Sequence, residues 1–501
     1  MPSKKINLFT SQQELLTAGY CESNRDWLIC APTGSGKTLM AEWAFEQTII
    51  QGRAAAYVAP LKAIVEERHE DWETRFTEWK IGLFTGETTR SLKQRKKPDN
   101  ENVLLFTPEK LSGYLHSWKR NLGWLSQLGV LVIDEFHLLG DPGRGSSLEA
   151  LINRIKRINP FIRIIGLTGT LSNAEEISQW MGAKLFVTDW KPVPVERTIK
   201  RFRKLEEKFA ILADEVASTT AKDGKVLVFV NSRKRSERLS EKLGELGFKA
   251  GYNHAGLDRK VRMDVQETMR QGEYDVLVST SSLEMGVNFP ARKVVVYDSY
   301  GFNGETFAPL SVQRYLQASG RAGRAGYDTE GESVLLLPVW SGKSPNYETG
   351  VPEPVESAFF RKSEHLKEIL NEVSGRLSIS ARHLETNFAR RTLWRAQGGK
   401  KDLGAQIELL LKEGLLARSG KKESYLNVTP LGKIAAQMGV SPFTVIHLAR
   451  FFQAVPAPQD FDLLLTTCLV EEVSPKLGFN FEEIDHMGDL ILETLSDLLD
   501  S

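Results

Sequence analysis

Short runs of apolar residues alternate, along the first part of the chain, with longer segments in which apolar positions recur at helical spacing. The runs have the length of strands, are bounded by Pro, Gly or Asp, and comprise residues 27–31, 55–59, 103–106, 130–133 and 164–167. Uninterrupted apolar strands between helices are typical of a parallel sheet that is buried on both faces. The pattern predicts an α/β domain over residues 1–195.

The same alternation returns after a charged stretch, residues 193–224, which we expect to be helical. Its apolar runs comprise residues 226–230, 276–279, 294–297 and 333–337. They predict a second parallel-sheet domain over residues 196–345, and the Pro- and Gly-rich segment that follows predicts a linker. Residues 355–445 are expected to be mainly helical with one short hairpin near residues 419–422, and residues 446–501 to be helical and acidic.

Composition agrees with a globular protein of several domains and excludes other classes. The chain has 501 residues, 41% hydrophobic and 26% charged, with 65 Lys and Arg against 64 Asp and Glu. The net charge of +1 provides no global field for a polyanion, so nucleic-acid binding requires a local groove. Three scattered cysteines exclude a disulfide framework or zinc site and fit a reducing compartment. No apolar run approaches the ~18–20 residues of a membrane span, so we expect a cytoplasmic protein without membrane contact.

A phosphate-binding loop is predicted where Ala-Pro-Thr-Gly-Ser-Gly-Lys-Thr follows a strand and begins a helix. The glycines let successive backbone N–H groups point at phosphate oxygens, and the helix N-terminus adds partial positive charge. Lys37 is expected to reach the β- and γ-phosphates of a nucleoside triphosphate, and the Thr38 hydroxyl to bind Mg²⁺. A Gly-rich strand–helix turn without a ligand is the alternative. The predicted nucleotide-binding residues of the loop are Thr33, Gly34, Ser35, Gly36, Lys37 and Thr38.

Two carboxylates end the apolar run 130–133, in the sequence Asp-Glu-Phe-His. At the carboxyl end of a parallel strand they are expected to face a ligand crevice. We assign Asp134 to Mg²⁺ and Glu135 to the general base that activates the attacking water. An exposed acidic loop is the alternative.

The phosphate loop and the Asp-Glu-x-His sequence together resemble the DExH-box helicases of superfamily 2. Further segments match that family's motifs in the same order, namely residues 168–170, 229–232, 253–257, 279–290 and 317–324. Their wording is most similar to the Ski-type branch, and within it to archaeal HelQ-type DNA repair helicases. Phe136 and Gly169 depart from that wording.

The resemblance implies two RecA-like domains that face each other across an ATP-binding cleft. It assigns Arg321 and Arg324 to the charge that develops on the γ-phosphate, and Gln317 to orienting water or phosphate. It also implies nucleotide contacts from Gln12, which would read the adenine, and from Gly286. For the two arginines a nucleic-acid phosphate patch is the alternative, and for Gln12 a helix cap.

The resemblance further implies a nucleic-acid track across the ends of strands in both domains. Hydroxyl, amide and backbone donors at strand ends bind phosphates without reading bases, and ordinary turn or cap chemistry is the alternative for each residue. Between the last two motifs, Asn-Gly at 303–304 predicts a hairpin turn where relatives carry a strand-separating hairpin, with a plain loop as the alternative. The candidate track residues are Pro60, Lys62, Gly86, Thr107, Asn231, Ser232, His254, Gly256 and Thr280.

The expected function is that of an ATP-dependent helicase that acts on DNA with 3′ to 5′ polarity, as a monomer. The alternatives are a Ski-type RNA helicase and an ATP-driven nucleic-acid clamp that does not unwind. Residues 355–445 resemble the branch's winged-helix domain. Only about fifty residues follow, so we expect either a fragment or a reduced form of the branch's helical ratchet domain.

Overall fold

Two parallel sheets, each covered by helices, form most of the protein in the computed structural model. The structure describes residues 8–86, 98, 100–280, 291–302, 307–324, 328–341, 345–400, 402–420, 424–470 and 472–473. We call the part built on the N-terminal sheet the first lobe and the part built on the other sheet the second lobe. All strand pairs in both sheets are parallel. The predicted α/β class is therefore confirmed.

The first lobe has a seven-stranded sheet in the order β3-β4-β2-β5-β6-β1-β7. Neighbouring residues of its central strands point into different cores: Leu28 packs in one hydrophobic cluster and Ile29 in the other, on the opposite face. This two-sided burial is why its central strands are continuously apolar. The strands are β1 (Trp27–Cys30), β2 (Ala54–Val58), β3 (Ile81–Phe84), β4 (Val103–Phe106), β5 (Leu128–Ile133), β6 (Arg163–Thr168) and β7 (Lys184–Val187). The helices are α1 (Thr10–Thr17), α2 (Lys37–Ile50), α3 (Lys62–Arg75), α4 (Pro108–His116), α5 (Trp118–Gln127), α6 (Gly145–Ile158) and α7 (Ala174–Met181), with a 3₁₀ turn at Phe136–Gly140.

The second lobe has a six-stranded sheet in the order β10-β11-β9-β12-β15-β8, and a separate antiparallel hairpin of β13 and β14. Its strands are β8 (Val195–Phe202), β9 (Val226–Val230), β10 (Ala250–Asn253), β11 (Val276–Thr280), β12 (Lys293–Val296), β13 (Tyr300–Phe302), β14 (Phe307–Pro309) and β15 (Gly331–Pro338). Its helices are α8 (Leu205–Thr220), α9 (Arg233–Glu245), α10 (Arg259–Arg270) and α11 (Val312–Ser319).

The charged stretch at residues 193–224 was predicted wrongly in its first half. Residues 195–202 form the edge strand β8, paired with β15 along its whole length, and only then does α8 begin. Most side chains of β8 are exposed, because an edge strand has a neighbour on one side only. Charged residues are common on such edges, where they discourage pairing with other chains. Because these residues are charged, a search for apolar runs does not detect the strand.

The described residues of the C-terminal part, up to residue 473, are mainly helical, as predicted, with one antiparallel pair of β16 and β17. The rest of the predicted helical segment, residues 474–501, lies outside the described residues. Its regular elements are α12 (Lys362–Ser374), α13 (Ala381–His383), α14 (Leu393–Ala396), α15 (Gly404–Lys412), β16 (Leu416–Ser419), β17 (Tyr425–Val428), α16 (Pro430–Met438), α17 (Pro442–Ala454) and α18 (Asp460–Cys468). Short 3₁₀ turns occur at Ala358–Phe360 and Ala389–Arg391, and a π-helical turn at Leu384–Phe388. Among the helices described here, none is long and apolar enough to cross a membrane.

A buried ion-pair network joins α12 to α6 of the first lobe. The guanidinium of Arg154 is fully buried, and its Nε donates to Glu372 Oε1 at 3.0 Å while Nη2 donates to a carboxylate oxygen of Glu368. Arg157 Nη1 donates to the other oxygen of Glu372 at 2.8 Å. The network fixes the C-terminal part on the first lobe.

Replacing Arg154 by alanine is expected to destabilise this contact by about 3–5 kcal/mol, because both glutamates then remain buried without their shared cation. Urea unfolding followed by circular dichroism measures the change. Arg120→Ala, on the exposed face of α5, is the control and is expected to change stability by less than ~0.5 kcal/mol. Equal stability of the two variants would contradict the role given to the network.

Candidate nucleotide and nucleic-acid sites

The predicted phosphate loop lies between β1 and α2, at the carboxyl edge of the first sheet. Gly34 and Gly36 adopt left-handed backbone conformations, with φ of 84° and 83°. A Cβ placed on Gly36 would collide with the end of the Gln12 side chain, and the left-handed φ itself favours glycine there. Gly36 is the residue before α2, whose first turn therefore points its free N–H groups towards the loop.

Lys37 is held over this loop, where Nζ donates to the carbonyl oxygens of Ala31 at 2.8 Å and Pro32 at 3.0 Å. Burial lowers the pKa of Lys37, while the carboxylates of Glu135 and Asp134 act in the opposite direction. The positive charge of Arg321 lowers the pKa further. Lys37 therefore lies within electrostatic reach of the acidic pair on its own lobe and of Arg321 on the second lobe.

The carboxylate of Asp134 is fixed at the end of β5 by donors to both of its oxygens. The hydroxyl of Tyr57 donates to Oδ2 at 2.5 Å, and the backbone N–H of Glu135 donates to Oδ1 at 2.9 Å. Burial raises the pKa of Asp134, and the neighbouring charge of Glu135 adds to that rise. A cation beside this carboxylate would relieve both effects. Tyr57 was not among the predicted site residues, although it lies in a predicted strand next to the one that carries Asp134.

Glu135 has a left-handed backbone with φ of 50°, an unusual conformation for a residue with a side chain. Such strain persists where the surrounding structure enforces it, and it is common at functional sites. Here it ends β5 and turns the chain into the 3₁₀ turn at Phe136–Gly140. Glu135 Oε2 then lies 3.4 Å from His137 Nδ1.

His137 connects the two lobes. Gln317 Nε2, on α11 of the second lobe, lies 2.9 Å from His137 Nε2, and His137 Nδ1 lies 3.3 Å from Thr168 Oγ1. An amide nitrogen can only donate, so His137 Nε2 accepts and its proton lies on Nδ1. Burial lowers the pKa of His137 to about 4, which keeps the ring neutral at pH 7. Sequence reasoning named the Asp-Glu-x-His spacing but gave this histidine no role.

The second lobe approaches the phosphate loop directly. A Cβ placed on Gly320 would lie 2.9 Å from Thr33 Cβ and Oγ1, so the segment that carries Arg321 reaches the loop. Arg324 has a different environment, because its guanidinium donates to both carboxylate oxygens of Asp328, at 2.9 Å and 3.0 Å. The finger role of each arginine stays a prediction.

Gln12 has the helix-capping contact that was the alternative to its predicted role, and it also contacts the phosphate loop; its reading of the adenine stays a prediction. Its Oε1 accepts from the N–H of Phe9 at 2.9 Å, which caps α1, and its Nε2 donates to the Gly36 carbonyl at 3.3 Å. Ser35 is buried and its hydroxyl donates to the Pro32 carbonyl at 2.7 Å, while Thr38 is the second residue of α2. The predicted contact at Gly286 lies outside the described residues.

The predicted nucleic-acid residues follow adjacent strands in each sheet. In the first lobe Pro60, Gly86 and Thr107 follow β2, β3 and β4, which form one side of that sheet, and Lys62 begins α3. The nucleotide residues follow β1 and β5 instead. In the second lobe Asn231 and Ser232 follow β9, His254 and Gly256 follow β10, and Thr280 ends β11; these strands are again adjacent.

Several of these residues also have the turn or cap contacts that were the alternative. Ser232 Oγ accepts from the N–H of Arg235 at 3.2 Å and caps α9. His254 is buried, with Nδ1 accepting from the N–H of Gly256 at 3.1 Å and Nε2 lying 2.9 Å from Glu237 Oε1. Asn231 is exposed, and its backbone N–H donates to Asp298. Their contact with nucleic acid stays a prediction.

Comparison with known proteins agrees with this arrangement. The DEAD/DEAH box helicase family model matches residues 9–177, and the model of the helicase conserved C-terminal domain matches residues 207–326. The "ATP-dependent DNA helicase Hel308" of Pyrobaculum calidifontis is 30% identical over 90% of this chain and 70% of its own length. The chain belongs to the Hel308 family of superfamily 2 helicases. Hel308 proteins of Thermoplasma volcanium and Methanocella arvoryzae are 29% and 28% identical, over 85% and 93% of this chain and 67% and 70% of their own lengths.

The two departures from the wording of this branch, Phe136 and Gly169, are not among the residues predicted to bind the nucleotide. Phe136 is buried, and a Cβ on Gly166 would lie 2.8 Å from its ring, so the phenylalanine fills space above β6. Gly169 lies near the second lobe, because a Cβ placed on Gly169 would lie 3.8 Å from Gln313 Nε2. The two lobes of this Hel308 family member are the predicted RecA-like domains.

Proposed function

We propose that this Hel308 family member hydrolyses ATP between its two lobes and uses the resulting movement to separate DNA strands. The observation that carries the proposal is the bond between Gln317 and His137, because it joins the arginine segment of one lobe to the acidic segment of the other. Chemistry in the cleft and the relative position of the lobes are then coupled. The choice of DNA rests on the names of the curated relatives, and the 3′ to 5′ polarity on the family resemblance.

The residues in the cleft fit a nucleoside triphosphate. The phosphate loop presents backbone N–H groups, and Lys37 adds a half-buried ammonium that can exchange its carbonyl partners for phosphate oxygens. Mg²⁺ carried by the nucleotide would be held through Asp134 and Thr38 and would neutralise phosphate charge, since it prefers carboxylate and hydroxyl oxygens. Glu135 accepts a proton from the attacking water, and Arg321 stabilises the charge that develops on the γ-phosphate.

Hydrolysis depends on contact between the lobes in this scheme. Thr168, His137 and Gln317 form a continuous polar chain from the end of β6 to α11. Loss of the γ-phosphate weakens the electrostatic attraction that holds Arg321 close to Lys37, and the two lobes separate. The polar chain of Thr168, His137 and Gln317 transmits this movement to α11. When the lobes separate, one lobe keeps its hold on a bound strand and the other releases it, so the strand moves relative to the releasing lobe.

The topology supports a nucleic-acid track beside the nucleotide cleft. In each sheet the candidate residues follow one set of adjacent strands. The set is β3-β4-β2 in the first lobe, next to β5, and β10-β11-β9 in the second lobe, next to β12. Such a row gives a polar path without a basic surface, in agreement with the net charge of +1. We also propose that the chain consists of two RecA-like domains at residues 1–195 and 196–345, a winged-helix domain at 355–445 and a helical segment at 446–501. The pairing of β8 with β15 supports the boundary between the first two.

The antiparallel pair β13 and β14 is the proposed strand separator. The Asn-Gly turn predicted at 303–304 lies outside the described residues. Phe302 pairs with Phe307 in its register, and the Phe307 side chain is 71% exposed, with its ring 6.2 Å from that of Tyr300. A Cβ on Gly301 would lie 3.2 Å from the Asn231 side chain, so the hairpin begins beside the proposed track. An exposed ring in this place can stack on the terminal base pair.

Replacing Phe307 by alanine is expected to slow unwinding about tenfold and to leave DNA-stimulated ATP hydrolysis within about twofold, since a lost base stack is worth ~1–3 kcal/mol. Strand displacement and phosphate release are measured on the same preparation. Phe161→Ala, an exposed phenylalanine of the first lobe, is the control. Equal unwinding by Phe307→Ala and Phe161→Ala would remove the hairpin from the mechanism.

Strand displacement on matched 3′-tailed DNA and RNA duplexes tests the proposed function. We expect ATP-dependent release of the labelled strand from the DNA duplex, and less from the RNA duplex or from a 5′-tailed one. Faster release from RNA would favour the RNA helicase. ATP hydrolysis without release from any duplex would favour a clamp.

A further inference from the structure

A short segment after the second lobe, residues 352–357, begins at the N-terminus of α11, and we call it the strap. The carboxylate of Glu353 accepts from the backbone N–H of Val312 at 2.8 Å and from that of Gln313 at 3.3 Å. These are the first two residues of α11, where N–H groups have no acceptor within the helix and a negative charge is favourable. Glu353 therefore fixes the start of the helix that carries Gln317 and leads into the arginine segment.

Two residues later the strap is bound to the first lobe. Asn173, just before α7, donates from Nδ2 to the Val355 carbonyl at 3.0 Å and accepts the Val355 N–H on Oδ1 at 2.9 Å. The Val355 side chain is buried in a hydrophobic cluster of the same lobe. The Ser357 hydroxyl donates to Glu149 of α6 at 2.6 Å. Gln397 of the C-terminal part holds both residues, because its amide donates to the Val355 carbonyl at 2.9 Å and accepts the Ser357 N–H at 2.8 Å.

The strap has little backbone freedom between its two attachments. Glu353 stands between Pro352 and Pro354. A proline fixes its own φ and favours an extended conformation in the residue before it. A movement of α11 away from the first lobe must therefore break the contacts of Glu353 or pull Val355 from Asn173.

Both ends of α11 lie against the part of the first lobe that follows β6. At its N-terminus, a Cβ placed on Gly169 would lie 3.8 Å from Gln313 Nε2, and Asn173 follows Gly169 by four residues. Nearer its C-terminus, Gln317 contacts His137, whose ring reaches the end of β6. The strap and the bond between Gln317 and His137 thus hold one helix in one place.

We propose that Glu353 is a positioning residue for ATP hydrolysis, which acts through the strap to hold α11, and with it Gln317 and Arg321, against the first lobe. The inference rests on the proposed ATP site and adds a residue beyond position 326, where the match to the helicase C-terminal domain ends. The phosphate loop belongs to the first lobe. Loss of Glu353 therefore lowers the rate of hydrolysis, by letting α11 leave its catalytic position, and spares the affinity for nucleotide.

The test uses the full chain with changes at either end of the strap. The variants are Glu353→Ala, Glu353→Gln, an anchor variant with Asn173→Ala and Gln397→Ala, and Glu353→Ala combined with the anchor variant. Steady-state hydrolysis at saturating single-stranded DNA gives kcat and the KM for ATP, and a fluorescent ATP analogue measures binding. Thermal unfolding shows whether each variant is folded. Glu353→Gln keeps the shape of the side chain and one acceptor oxygen, so it tests the contact even if the alanine variants fold poorly. Glu348→Ala, an exposed glutamate just before the strap, is the control.

We expect Glu353→Ala to lower kcat by about five- to tenfold, the loss that follows from removing one helix cap, and to leave KM and analogue binding within about twofold. Glu353→Gln is expected to lie between this variant and the unaltered protein. The anchor variant is expected to show the same fall in kcat as Glu353→Ala. The combined variant is expected to be no slower than either, because both changes release the same strap.

An unaltered or raised kcat in both Glu353 variants overturns this inference alone. A normal kcat in the anchor variant also overturns it, because Glu353 is then only a local cap of α11. Losses that multiply in the combined variant contradict it too, since the two ends then act separately. An unaltered protein that does not hydrolyse ATP overturns the proposed function as well.

Discussion

Replacing Arg321 by alanine lowers kcat for ATP hydrolysis by about 10³–10⁵-fold, the contribution of an arginine finger to phosphoryl transfer. The reason is electrostatic: the guanidinium comes from the second lobe to a cleft where its charge already acts on Lys37. In the transition state the γ-phosphate oxygens gain charge that Lys37 alone does not balance. Phosphate release at saturating ATP and DNA measures kcat, and analogue binding separates chemistry from affinity.

Arg201→Ala is the matched control, since Arg201 is an exposed arginine of the same lobe on the edge strand β8. Its kcat is expected to equal that of the unaltered protein. A fall of less than about tenfold in Arg321→Ala would contradict the finger role of Arg321. Arg324 would then be the remaining candidate on the second lobe.

Replacing Glu135 by glutamine slows hydrolysis at least ~10²-fold while ATP binding is retained. Glutamine has the same shape and can keep the strained backbone at φ 50°, so the change removes the proton acceptor and little else. Single-turnover hydrolysis measures the chemical step, and analogue binding confirms that the site is intact. Removal of one carboxylate also leaves Asp134 with less repulsion, which favours nucleotide binding.

Glu175→Gln provides the control, because Glu175 is an exposed glutamate of α7 in the same lobe. It is expected to hydrolyse ATP at the rate of the unaltered protein. Ordinary turnover in Glu135→Gln would contradict the assignment of the base. The proton would then have to be accepted by another group in the cleft.

The strands that sequence reasoning found are those buried on both faces. In each sheet the outermost strands escaped it: β3 and β7 in the first lobe, and β10 and β8 in the second. An edge strand needs fewer apolar side chains, and β8 is largely polar and exposed. The edge strands β3 and β7 are mostly apolar but only four residues long each. Apolar runs therefore predict the centre of a parallel sheet, while its edges depend on pairing that a local pattern does not contain.

A similar division holds for the site. The phosphate loop is a single short stretch of sequence, and so is the acidic pair, so the spacing within each stretch indicates its chemistry. Contacts between distant residues carry no such signal: Gln317 meets His137 across 180 positions, and Tyr57 meets Asp134 across 77. These pairs depend on how the sheets and lobes come together.

The central claim is that one nucleoside triphosphate is held by both lobes at once. A crystal structure of the protein with Mg²⁺ and a non-hydrolysable ATP analogue tests it most directly. The account predicts γ-phosphate oxygens within hydrogen-bond distance of both Lys37 Nζ and the Arg321 guanidinium of the same chain, with the adenine near Phe9. A nucleotide that is bound by the first lobe alone, with Arg321 turned away from it, would contradict the account.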